Sequence, residues 1–438
     1  MTVFTVEQIF VSISGFDSPM PVSKEGQAIS ATTSAPPGRA TAWRMLGPAF
    51  VAGIAYVDPG NVATNTAAGS QYGYRLIWVV AGANLMAVLV QYLSAKLGIA
   101  TGRSLARMTR ERYPRPVSAI LWLQAEAVTI ATDLAEVLGG AIALHLLFGI
   151  PLPLGGLLTA AASLAILTLQ GRTQRRFELV IIALLAVLLV GFLSGTVLAR
   201  PSLPDTAAGL VPTLPDGGAL LLAVGMLGAT VMPHAVYLHS ALIRDRFTEP
   251  ARSAPRRREL LRATRIDVLL AMTIAGTINA GMVLTAAGVL QGSGIDTIEG
   301  AHDGLSRTLG PLIATLFAIA LLASGLASSA VGTYAGAVVF EGFWGRRVPL
   351  YLRRLVTLTP AIVVLFLGVE PTVVLIISQV VLSFGIPFAL FPLVRLTSDH
   401  GLMRELVNRP ITQLAGTAVA VIVSVLNIAL IVLTALGR

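Results

Sequence analysis

Cysteine is absent from the 438 residues. Disulfides, thiolate metal ligands and thiol catalysis are therefore excluded. Charge is scarce too. Charged residues make up 12% of the chain, against about 25% in an ordinary soluble domain. Lysine is nearly missing, with two residues against 29 arginines. Water cannot solvate a surface this poor in charge, so lipid must be the solvent. Walker and His-Glu-x-x-His motifs are also lacking, which argues against ATP coupling and metalloprotease chemistry. The predicted protein is not an enzyme.

What the chain has in abundance is apolar length. Hydrophobic residues reach 55%, and mean hydropathy is +0.79. Runs near 20 residues exclude an outer-membrane barrel, whose strands alternate polarity over about 10 residues. Eleven apolar segments stand out: 46–69, 76–99, 117–147, 152–170, 178–198, 218–242, 266–290, 310–340, 355–369, 371–394 and 411–436. They predict an all-α polytopic membrane protein. Residues 1–43, rich in Ser, Thr, Pro and Gly, read as a disordered cytoplasmic tail. A ten-helix core over 44–398 follows, then a loop and an eleventh helix over 399–438.

The net charge of +9 is a topology signal and no nucleic-acid footprint. Basic residues cluster after the second, fourth, sixth, eighth and tenth segments. Only Arg75, Arg200, Arg307 and Arg438 fall on the other side, against 27 facing the N-terminus. The positive-inside rule then predicts a cell-membrane protein with a cytoplasmic N-terminus and an external C-terminus.

Two segments are interrupted. The first is broken at Asp58-Pro59-Gly60-Asn61. An aspartate at mid-bilayer costs roughly 2.5–3.5 kcal/mol on insertion scales, and irregular backbone survives there only beside a protein cavity. The sixth is broken at Met232-Pro233-His234. The two breaks lie five segments apart, and an odd offset inverts the second unit. Paired breaks of this kind point to an inverted repeat with a site at the midplane. Segments 1–5 and 6–10 would be the repeats. Asp58 offers a carboxylate, Asn61 an amide oxygen and Met232 a thioether. Unwinding would free carbonyls just before each break, at Ala55 and Ala229. A mixed oxygen and sulfur set suits a divalent transition metal better than Ca²⁺ or Mg²⁺, which prefer oxygen alone.

Segment 3 carries Glu126, Asp133 and Glu136 along one helix face. Buried carboxylates so spaced mark proton relays or salt-bridge networks. Arg353 and Arg354, at the start of segment 9, are the cations at hand. His234 and His239 follow the second break and titrate near neutrality. Asn84, Thr129, Asn279 and Ser328 read as glue between helices, and His145 as interfacial.

The two break motifs together resemble the paired signatures of the natural resistance-associated macrophage protein (Nramp) family. Gln91-Tyr92-Leu93-Ser94-Ala95-Lys96-Leu97-Gly98, Ala323-Ser324-Gly325 and Gly332-Thr333 agree with it. The resemblance covers about residues 44–436 and implies a leucine-transporter-like fold, a 5+5 inverted repeat plus an eleventh helix. It implies proton-coupled import of divalent metals such as Mn²⁺ or Fe²⁺ by alternating access. Metal and protons would be the only partners besides the bilayer, with no cofactor, and the chain is expected to be a monomer. Residues matching Asp58, Asn61, Met232 and the Ala55 and Ala229 carbonyls would hold the metal, with Gln379 at a polar position nearby. A proton path would run from Asp58 through Asp133 toward the charges of segments 3 and 9. Met232 sets the chain apart from magnesium-transporting relatives, which lack it. The alternatives are an ion-coupled amino-acid transporter of the same fold, or a cation channel. A fixed Asp58 would repel an amino-acid carboxylate.

Overall fold

Residues 47–172, 174–246 and 254–436 are described by a computed structural model. The tail expected over residues 1–43 lies outside them. No strand occurs among the described residues. Helix α1 (Pro48–Ile54) tightens into a 3-10 turn at Ala55–Val57, and α2 (Pro59–Tyr72) follows after Asp58. A second 3-10 turn, Gly73–Leu76, runs directly into α3 (Ile77–Thr101). Short α4 (Leu105–Arg112) precedes α5 (Arg115–Phe148), α6 (Leu152–Arg172) and α7 (Gln174–Ala199). After α8 (Leu203–Ala208) come α9 (Gly217–Thr230) and α10 (Pro233–Arg246), parted by Val231 and Met232. Then follow α11 (Ala254–Val289), α12 (Ile298–Leu309), α13 (Pro311–Trp344), α14 (Leu350–Leu367) and α15 (Pro371–Thr397). Short α16 (His400–Met403) and long α17 (Pro410–Ala435) end the chain.

All eleven apolar segments are helical. Nine described stretches are long and apolar enough to cross a membrane, while Pro48–Val57 and Leu152–Thr168 are shorter apolar helices. Of the two spans short of eleven, one is segment 4, whose apolar helix Leu152–Thr168 is shorter, and the other has a local cause in segment 1. Asp58 cuts it in two, and its second half joins segment 2 through the 3-10 turn, so Pro59–Thr101 forms one stretch. Two helices also begin earlier than their apolar runs. α11 starts at Ala254 instead of 266, because Arg, Glu, Leu and Ala are good helix formers and carry the helix out past the apolar run. α14 starts at Leu350, which puts Arg353 and Arg354 on its first turns.

Helix ends follow known chemistry. α3, α5, α13 and α14 stop at Gly102, Gly149, Gly345 and Gly368, all in the left-handed region. The start of α1 is capped from a distance. Asp267 of α11 accepts from the backbone N–H groups of Gly47 at 3.1 Å and Ala49 at 2.9 Å. The end of α2 meets the start of α9, where the Tyr72 hydroxyl donates to Asp216 at 2.6 Å. With the Ala219 N–H, that bond holds the exposed Asp216 carboxyl below its usual range.

Outward faces are apolar. Val421, Val425, Ile428 and Val432 make one exposed stripe down α17, and Leu355, Val363 and Phe366 another on α14. Such stripes suit lipid. Lipid is as apolar as leucine, so the helices associate by close packing and interhelical hydrogen bonds. α13 packs along α5 and α7, α11 along α2 and α3, and α15 along α9, α5 and α17. This arrangement sets both breaks among α5, α11, α13 and α15.

Candidate metal site

Asp58 leaves the helix with φ −74° and ψ 170° and caps the N-terminus of α2. Its Oδ1 accepts the backbone N–H and the side-chain amide of Asn61, each at 2.8 Å. Its Oδ2 has no hydrogen-bond partner, although the residue is fully buried. Carbonyls beside the break are taken by other helices. Asn279 of α11 donates to Tyr56 O at 2.8 Å, and Ser324 of α13 donates to Val57 O at 2.6 Å. Ala55 sits in the 3-10 turn, and among the described residues no side chain donates to its carbonyl. The chain tightens at Ala55 where simple unwinding was expected. The carbonyls that attract side-chain donors lie one and two residues further on.

The second break faces the first. α9 ends at Thr230, and the Ala229 carbonyl accepts the Asn61 side-chain amide at 2.9 Å. The Thr230 hydroxyl donates to Asn61 Oδ1 at 3.3 Å. Met232 is fully buried between α9 and α10, in one apolar cluster with Ala55, Tyr56 and Val57. Gln379 of α15 wedges against both breaks. Its side chain lies against Gly60 and its carbonyl against Gly228, so closely that a Cβ at either glycine would overlap it. Gln379 Oε1 has no partner, and Nε2 donates to Ser378 Oγ at 3.1 Å. Asp58, Asn61, Ala229 and Gln379 are thus adjacent, with Ala55 and Met232 in the surrounding cluster. Among the described residues no group of three His, Cys, Asp or Glu side chains could hold a metal. Any cation here would depend on one carboxylate helped by amides, carbonyls and a thioether.

The carboxylates of α5 lie at graded depth. Glu136 is fully buried, its carboxyl set against Gly332 of α13 with both oxygens unpartnered. Asp133 Oδ1 accepts from Arg354 at 2.8 Å, while Oδ2 is free. Arg354 also donates to Thr333 and Ser163, each at 3.0 Å, and to Ser329. Glu126 is half-buried and takes a two-pronged pair from Arg353 at 3.0 and 2.8 Å. Glu126 and Asp133 are about 10 Å apart along the helix axis, at 1.5 Å per residue.

The two histidines separate. His234 Nδ1 meets the Thr132 hydroxyl at 3.2 Å, one residue from Asp133, and its Nε2 has no partner. His239 does not join the carboxylates. Its Nδ1 meets Gln91 Oε1 at 2.6 Å, and Gln91 bonds the Tyr56 hydroxyl, so it reaches the first break from α3. Sequence reasoning missed Thr132, Ser163, Thr230 and Ser329. Asn279, read as glue, does bond across helices, donating to Tyr56 O at 2.8 Å and accepting from Asn65 of α2 at 3.0 Å. Thr129 and Ser328 are not glue, since each hydroxyl bonds its own helix four residues back, at 2.8 Å. Asn84 does lie between helices, against Gly276 of α11. His145 is exposed, as expected of an interfacial residue.

Two interrupted helices, facing each other around a buried carboxylate, define a membrane transporter of leucine-transporter-like fold. The nucleobase–cation symport transporter Mhp1 shares that fold, with a TM-score of 0.58 at 18% identity over 84% of this chain and 82% of its own. The model of the natural resistance-associated macrophage protein-like family matches residues 49–433. The divalent metal cation transporter MntH of Mycobacterium tuberculosis is 54% identical over 91% of this chain and 93% of its own length. The crystal structure of a manganese transporter of Eremococcus coleocola superposes with a TM-score of 0.81 at 30% identity, covering 91% of this chain and 89% of its own. The chain belongs to the Nramp family.

Unequal burial of the two arginine pairs yields a stability ranking. Arg354 is 2% exposed and Asp133 1%, whereas Glu126 is 16% exposed. Arg354→Ala strands a buried carboxylate and takes one donor from each of three hydroxyls, and should destabilise by about 3–5 kcal/mol. Arg353→Ala leaves Glu126 within reach of water and should cost clearly less. Thermal unfolding of both variants in one detergent checks the order, and equal losses would contradict it.

Proposed function

We propose that the chain imports divalent transition metals, Mn²⁺ and Fe²⁺ among them, together with protons, by alternating access across the cell membrane. The single observation that carries this reading is the meeting of the two breaks at Asn61. Its amide nitrogen bridges the Asp58 carboxylate and the Ala229 carbonyl at 2.8 and 2.9 Å. Two acceptors converging on one donor make the electrostatic pattern that a cation satisfies. Family membership and the named relatives support the same reading.

In this scheme an entering metal displaces the Asn61 amide nitrogen. The amide turns, its oxygen faces the ion, and the Thr230 hydroxyl switches from donor to acceptor. Asp58 Oδ2, the Ala229 carbonyl, Gln379 Oε1 and the Met232 sulfur complete the set, with the Ala55 carbonyl on the α1 side. The amino-acid alternative is disfavoured because Asp58 presents a negative charge where a substrate carboxylate would sit. Metal held by Asp58 favours its ionised form and displaces a proton. Glu136 and Asp133 receive it, with His234 alongside, and Arg354, Arg353 and Glu126 carry the charge shift outward. His239 acts on the first break through Gln91. The basic-residue count supports a cytoplasmic N-terminus.

Met232 tests selectivity. Met232→Ala should keep measurable Mn²⁺ uptake in proteoliposomes and gain Ca²⁺ or Mg²⁺ uptake, since an all-oxygen shell suits hard ions. Unchanged selectivity would remove Met232 from the ligands.

Asp58 and Asp133 test the division of labour. Asp58→Asn should weaken Mn²⁺ binding by at least about 100-fold, beyond the loss usual for a supporting residue, and abolish metal and proton entry together. Asp133→Asn should leave binding measurable by calorimetry but cut internal acidification. If Asp133→Asn loses metal binding as completely, the two carboxylates form one site and the separate route fails.

Orientation is testable because the chain has no cysteine of its own. Position 104 is buried, so its exposed neighbour serves instead: Arg103→Cys and Ala254→Cys should label only from the cytoplasm, and Thr206→Cys only from outside. External labelling at 254 would overturn the proposed topology.

A further inference from the structure

Within the stretch Gln91–Gly98, Gln91 reaches the first break and Ser94 donates to Val236 O of α10 at 2.6 Å. Lys96, near the end of α3, is 3% exposed. Its ammonium bonds Asn408 Oδ1 and lies 5.6 Å from the centre of the Tyr92 ring. Arg265 of α11 lies over the same ring at 5.1 Å and donates to the Tyr92 hydroxyl at 2.9 Å. Two cations therefore share one aromatic ring. Around them is a cavity of about 520 Å³ that Arg258, Arg262 and Arg409 also line. Its one carboxylate, Glu405, is paired with Arg257. Among the described residues, none of these five lining cations pairs with a carboxylate.

Five like charges converging on one cavity repel one another unless an anion sits among them. Guanidinium forks fit phosphate oxygens in a planar, two-pronged way that a simple halide would not use. The cavity lies where α3 ends and where α11 and α17 begin. Basic pockets between helices at the membrane surface are suited to anionic headgroups. The surroundings separate a lipid from a soluble anion. Just past the arginines, Ile266 and Leu269 of α11 are 55% and 53% exposed, and Ile411 and Leu414 of α17 are 75% and 69% exposed. Apolar strips thus lead away from the basic pocket on both helices. We propose that this pocket binds the phosphate headgroup of an anionic phospholipid, whose acyl chains lie along the exposed faces of α11 and α17. Asn408 extends the consequence, because it also bonds Thr397 of α15 and Ser398 just past it at 2.8 and 3.1 Å. A bound headgroup would join α3, α11, α15 and α17 at one point. Neither the metal carried nor the proton route enters this inference.

Native mass spectrometry of the delipidated full chain, titrated with phosphatidylglycerol or phosphatidylcholine, tests it. Phosphatidylglycerol should be retained at least about tenfold better. The variant Arg258→Gln/Arg262→Gln/Arg409→Gln should lose that preference. The charge-matched control Arg115→Gln/Arg176→Gln/Arg346→Gln, on exposed arginines elsewhere, should keep it. All six positions are exposed, so unfolding temperatures without lipid should match the parent. Arg262→Gln alone should give a smaller loss in the same direction. Equal retention of both lipids would overturn the proposal, as would an equal loss in the control. Displacement of the lipid by millimolar inorganic phosphate would also overturn it, making the pocket a site for a free anion.

Discussion

Backbone that leaves its helix inside a bilayer must find each lost hydrogen bond within the protein, and every failure costs several kcal/mol. This constraint shapes the whole core. At the first break Asp58 caps α2, Asn279 holds Tyr56 O and Ser324 holds Val57 O. At the second, Asn61 holds Ala229 O. The partners come from α11, α13 and the opposite break. Asp267 of α11 extends the same service to the start of α1. α11 is therefore the brace for the first half-helix, gripping it at both ends.

Charge is handled by depth. The outermost α5 carboxylate, Glu126, has a complete two-pronged partner. Asp133, further in, has one oxygen on Arg354 and one free. Glu136, deepest, has neither oxygen paired. Pairing thus thins toward the breaks as burial rises. A structural network would do the reverse, since unpaired oxygens cost most where water is excluded. Arg354 is instead fixed by three hydroxyls besides Asp133, so its position survives any change at the carboxylate.

The sequence made the breaks legible because an aspartate and prolines inside apolar runs have no other cheap explanation. The arginine partners of segment 3 were legible too, being the cations at the start of the ninth segment. Gln379 was reachable only through family resemblance. No spacing rule ties the tenth segment to the breaks, and its role rests on the close approach to Gly60 and Gly228, which sequence does not display. Polar residues in spans were the least readable. Ser324 and Ser328 are four residues apart on one helix, yet one holds a foreign carbonyl and the other its own helix. A hydroxyl's partner depends on which neighbour has a broken backbone, and that is a tertiary fact. The early start of α11 was missed for a different reason. Hydropathy marks where lipid ends, whereas helix propensity continues into water.

Asn61 is the point where these constraints meet. Its backbone N–H and its amide both serve Asp58, while the same amide reaches across to Ala229. Among the described residues, the hydrogen bonds between the two breaks therefore run through one rotatable side chain. Separating the breaks by even 1 Å would stretch the Ala229 bond beyond hydrogen-bond range and leave a bare carbonyl in a dry core. On the proposed reading, a cation between Asp58 and Ala229 takes over that link with a stronger charge interaction. Loading the site and holding the two breaks together then become the same physical event. That coupling needs no separate latch at the breaks, because the amide that joins them is the group the cargo replaces.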